Sequence, residues 1–78
     1  MGNAEKLFAA MHRNPRDWSL AQLQTVARHF GLEWRQGGGS HCVFLRDDGR
    51  TLPIPAHRPI KPIYIKKFLA LLEEISNA

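Results

Sequence analysis

The hydrophobic period changes twice along this chain, and that change restricts the fold more than any other feature of it. Apolar residues recur at helical spacing up to Phe30, alternate with polar ones between Leu32 and Ile54, and return to helical spacing after Pro62. Two breaks divide the alternating stretch, Gly37-Gly38-Gly39 and Asp48-Gly49, so it reads as three short strands. Links this short join antiparallel neighbours, because a parallel pair needs a crossover of about a dozen residues or more. The expected order is α-α-β-β-β-α, an α+β fold with helices on one face of a three-stranded antiparallel sheet and the other face open.

Each element carries its own signal. Asn3 to Arg13 reads as a helix with Asn3 as N-cap, Glu5 in the first turn and Leu7, Phe8 and Met11 along one side, and Pro15 ends it. Ser19 and Gln22 form a capping box for a helix over 19–30, with Leu20, Leu23, Val26 and Ala27 at helical spacing and Gly31 at its end. Trp18 precedes that cap and is placed to staple onto Leu23. Strands follow over Leu32–Arg35, His41–Leu45 and Thr51–Ile54. Pro53 and Pro55 cannot donate ladder hydrogen bonds, which puts the third strand at a sheet edge. The closing helix carries Ile65, Phe68, Leu69, Leu72 and Ile75 on one side. In the second strand apolar residues fall on both faces, so periodicity leaves open whether His41 faces solvent or the helices.

A chain of 78 residues buries only about 60% of its extended surface, enough for one core and one domain but not for a deep enclosed pocket. Its 44% hydrophobic content excludes the low-hydrophobicity class of disordered chains. The single cysteine, Cys42, allows no intramolecular disulfide and no cysteine-based metal cluster, and points to the reducing cytoplasm. The apolar run Phe68–Leu72 is far short of the roughly 20 residues of a membrane span, and no basic flank precedes an apolar signal core. Eleven Lys and Arg against seven Asp and Glu give a net charge of +4, which points toward a polyanion such as nucleic acid or toward an acidic protein partner. His12, His29, His41 and His57 share no short spacing and have no carboxylate pair beside them, so no metal or other cofactor is expected.

The chemistry concentrates in Gly37-Gly38-Gly39-Ser40-His41. Consecutive glycines let backbone N–H groups approach an anion closely, although glycine also serves plain turns. A histidine that follows can take a proton from a ribose 2′-hydroxyl or give one to a leaving 5′-oxygen near neutral pH. Arg46, Arg50, Arg58, Lys61, Lys66 and Lys67 gather around the strand ends and the last helix, where they could track a phosphate backbone or simply form a solvated face. His57, flanked by Pro55 and Pro59, reads as a solvated loop residue. Trp18 and Trp34 read as packing residues before stacking platforms, and His12 and His29 as favourable charges near helix C-termini.

The chain resembles the HicA-like (YcfA-type) toxins of toxin–antitoxin systems. The matching residues are Phe30-Gly31, then Gly38-Gly39-Ser40-His41-Cys42-Val43-Phe44, then Gly49-Arg50-Thr51-Leu52-Pro53-Ile54-Pro55-Ala56-His57-Arg58-Pro59-Ile60-Lys61, and the closing helix. They are similar, in order, to the family's Gly-Ser-His-His segment, to its Thr-x-Pro-x-x-His segment, with three residues here between Pro53 and His57, and to its final helix, over about residues 19–75. The resemblance implies a fold like the double-stranded-RNA-binding domain, with an α-β-β-β-α core preceded by an extra helical segment over 1–17. It implies a metal-independent mRNA interferase neutralised by a HicB-type antitoxin. His41 is then the catalytic residue, and Gly38, Gly39, Ser40, Arg46, Arg50, His57, Arg58, Lys61 and Lys66 contact RNA. Many members have two adjacent histidines, whereas here Cys42 follows His41; a thiol is a poorer proton shuttle at neutral pH, and Cys42 also reads as a small buried apolar residue. The alternative function is a module of the same fold that binds structured RNA without cutting it.

Overall fold

Local capping sets the helix boundaries. The computed structural model of the chain describes residues 3–36, 41–56 and 59–76. The elements are helix α1 (Asn3–Arg13), helix α2 (Leu20–His29), strands β1 (Glu33–Gln36), β2 (His41–Leu45) and β3 (Thr51–Pro55), and helix α3 (Pro62–Ser76). The expected order holds throughout. At the start of α2 the Ser19 hydroxyl accepts from the Gln22 N–H and the Gln22 carboxamide accepts from the Ser19 N–H at 2.9 Å, closing the capping box. At its end the Gly31 N–H donates to Arg28 O (3.3 Å) and the Leu32 N–H to Ala27 O (2.8 Å). This is a Schellman closure, and it needs the left-handed backbone that Gly31 adopts at φ 78°. Pro62 opens α3 at the first helical position, where its missing N–H costs nothing. One local expectation is corrected: Asn3 is the first residue of α1 and not the cap before it.

The strands form one antiparallel sheet in the order β1-β2-β3, so β1 and β3 are its edges. Glu33 pairs with Leu45 and Gln36 with Cys42 on one side of β2, and His41 pairs with Pro55 and Leu45 with Thr51 on the other. The β2–β3 turn uses three residues, Asp47-Asp48-Gly49, with Gly49 at φ 96° and the Arg50 N–H donating to Asp48 Oδ1 at 3.0 Å.

Side chains that share a sheet face decide which face is covered. Cys42, Phe44 and Ile54 are fully buried, with Trp34 and Leu52 packed beside them, and this face lies against Leu23, Val26 and Ala27 of α2 and Ile65, Phe68 and Leu72 of α3. The Phe44 and Phe68 rings meet at 5.0 Å. The helix over 3–13 shares this core: Met11 is fully buried, and Phe8 packs on Phe30 at 4.9 Å. Two side-chain contacts reach from it, the Glu5 carboxylate to His29 Nε2 of α2 at 3.9 Å and His12 Nε2 to the Glu73 carboxylate of α3 at 3.3 Å. The two histidines expected to complement helix ends thus also bridge between helices. Trp18 packs against the cluster that contains Leu23, its indole N–H donates to Asn14 O at 2.7 Å, and its carbonyl accepts from the Ile60 N–H at 2.9 Å, tying the start of α2 to the approach to α3. Among the described residues no helix is long and apolar enough to cross a membrane.

Candidate functional site

The uncovered face of the sheet is built by alternation. On β2, Cys42 and Phe44 point into the core, so His41, Val43 and Leu45 point the other way. Strand pairing adds Glu33 and Arg35 from β1 and Thr51, Pro53 and Pro55 from β3. This fixes the phase that periodicity left open: His41 stands exposed at the first position of β2, next to Pro55.

Cys42, adjacent in sequence, lies on the opposite face. It is fully buried, and burial pushes its thiol above the ordinary range, an effect partly offset by the Gln24 carboxamide, whose Nε2 lies 3.7 Å from Sγ. A buried thiol held protonated on the core side cannot reach a substrate lying on the His41 face. Cys42 here is a core residue.

Among the described basic positions, Arg46 and Arg50 lie away from His41. Arg46 and Arg50 flank the β2–β3 turn, where both pair with Asp48, at 3.6 and 3.4 Å. The Arg46 side chain is only 11% exposed, beside a cleft lined by Phe30, Gly31, Leu32, Glu33, Leu45 and Asp47, while Arg50 is 53% exposed. His41 sits at the other end of β2, four residues from Leu45 and therefore about 13 Å along the strand. Lys61 is exposed just ahead of α3, where its carbonyl accepts from the Tyr64 N–H at 2.9 Å. Lys66 is exposed on the helical side, lining a groove with Met11, His12, Pro15, Leu69 and Glu73. Gly38, Gly39, Ser40, His57 and Arg58 lie outside the described residues.

Arg35 escaped the sequence reading. It is exposed on the same face as His41, across from Val43, and the alternation of Leu32, Trp34 and Arg35 was the signal that could have found it. Arg28 is the other, its guanidinium 5.5 Å from the Trp34 ring centroid, within cation–π range. Among the described residues no three His, Cys, Asp or Glu side chains group as metal ligands.

No family model matches the chain, and no curated protein or solved structure compared with it does either.

Proposed function

We propose that the chain is a HicA-like, RNA-directed toxin: a metal-independent ribonuclease with the double-stranded-RNA-binding-domain type of fold, held in check by a HicB-type antitoxin over the same face. The observation that carries this reading is His41, an exposed imidazole on the uncovered face of a three-stranded sheet whose other face is closed by helices. The order α2-β1-β2-β3-α3 agrees with the fold that the sequence resemblance implies. RNA lies across the sheet, Arg35 and the residues around the Gly-Ser run hold phosphate, and His41 exchanges a proton with the 2′-hydroxyl or the leaving 5′-oxygen. The product is a 2′,3′-cyclic phosphate end and a free 5′-hydroxyl.

The test is incubation of the purified chain with a long RNA in EDTA, beside His41→Ala. Wild type cuts, and the variant, folded by circular dichroism, loses about 10²-fold or more of the rate. Intact RNA with both proteins overturns the enzymatic reading. The burial of Cys42 favours a second one, because it takes away the neighbouring titratable group: a module that binds structured RNA without cutting. That reading predicts salt-sensitive binding unchanged by His41→Ala and weakened by Arg50→Glu with Lys61→Glu.

A further inference from the structure

The two edges of the sheet are not equivalent. The Arg46 N–H donates to Arg50 O at 2.9 Å, and hydrogen-bonded and non-bonded pairs alternate along an antiparallel ladder. Counting from that bond, Phe44–Leu52 and Cys42–Ile54 are the bonded pairs of β2 with β3, so Thr51, Pro53 and Pro55 turn their backbone outward. Two of those three outer positions are prolines, which have no N–H to give. On the other side of β2 the bonded pairs are Val43–Arg35 and Leu45–Glu33, so Trp34 and Gln36 of β1 turn their N–H and C=O groups away from β2, toward the outer margin of the sheet. Edge β3 is blocked; edge β1 has no strand beside it among the described residues.

The residues on β1 favour one partner for that edge. Glu33 and Arg35 flank Trp34 on the uncovered face, opposite in charge and two positions apart. If β1 pairs antiparallel with β1 of a second copy about a two-fold axis through Trp34, Glu33 of each chain stands opposite Arg35 of the other. Shifting the axis by one residue either way puts Arg35 opposite Arg35 or Glu33 opposite Glu33, a like-charge pair that destabilises the ladder. The self-pairing is isologous, as a closed dimer requires. The backbone agrees with it, because the outward N–H and C=O of Trp34 meet the same groups of the partner across the axis. Beside this edge lies an open groove lined by Arg28, Gly31, Leu32, Glu33 and Trp34.

We infer that the chain self-associates through β1, forming a reversible dimer with one continuous six-stranded sheet in the order β3-β2-β1-β1-β2-β3. Both helical layers then lie on one side and both His41 side chains on the other. This inference rests on the strand edge alone and stands or falls independently of any action on RNA.

Sedimentation velocity of the full chain, up to about 1 mM, tests it with charge variants at exposed positions whose fold is checked by circular dichroism. Wild type shows a concentration-dependent dimer. Arg35→Glu and Glu33→Arg, each alone, place two like-charge pairs across the axis and weaken the dimer about tenfold or more. The double variant Glu33→Arg/Arg35→Glu restores it, and mixing the two single variants gives a heterodimer, since each then supplies the charge the other needs. A chain monomeric at every concentration overturns the inference, as does a dimer indifferent to Arg35→Glu or a charge swap that fails to restore association.

Discussion

At the scale of single residues, two neighbours on one strand have opposite roles because a strand turns successive side chains to opposite faces. His41 is exposed, and Cys42 is buried with its thiol pushed up by desolvation. The raised thiol has a consequence for stability. The folded chain holds the Cys42 proton more tightly than the unfolded chain does, so this contribution is fully present below the unfolded thiol pKa of about 8.5 and is lost as pH rises above it toward the folded value. Chemical denaturation from pH 7 to 10 should therefore show an alkaline loss of stability that Cys42→Ala lacks, and alkylation of the native thiol should proceed only as fast as the chain opens. An equal alkaline slope in the variant would assign the loss elsewhere. The phase of β2 was beyond the sequence for a plain reason: Val43 and Leu45 are apolar and half-buried on the uncovered side, so both faces of the strand look like core.

At the scale of elements, most boundaries were legible because they are set by contacts within a few residues. Ser19, Gln22, Gly31, Pro15, Pro62 and Gly49 each act on the backbone beside them, and each sits at the boundary its chemistry suggests. Removing the cap by Ser19→Ala should cost about 1 kcal/mol in urea denaturation. Gly31→Ala gives a cleaner measurement: a Cβ there meets nothing within 4 Å, so any loss, of about 1–2 kcal/mol, is the left-handed backbone alone. What local reasoning missed is the distance between elements. The basic residues gather around strand ends and the last helix in the sequence, yet the hairpin puts Arg46 and Arg50 at the end of β2 away from His41, and α3 carries Lys66 around to the helical side.

At the scale of the whole molecule, the first helix matters more than its place ahead of the family-like segment suggests. A folded unit of 78 residues has a total stability of about 4–12 kcal/mol, and Met11→Ala in a fully buried position should remove about 2–5 kcal/mol of it. Deleting residues 1–17 should lower the melting temperature far more than any surface change, or abolish cooperative unfolding; an unchanged melting curve would make α1 a true appendage. The sequence placed Met11 on an apolar stripe, but that stripe alone does not say which helices receive it.

Pro53 and Pro55 leave the outer edge of β3 short of donors. A sheet with two receptive margins can add copies without limit and grow into a fibre, whereas one with a single receptive margin is finished after one addition. The two prolines therefore act as a chain terminator: if copies of this protein meet edge to edge at high concentration, the assembly stops at two.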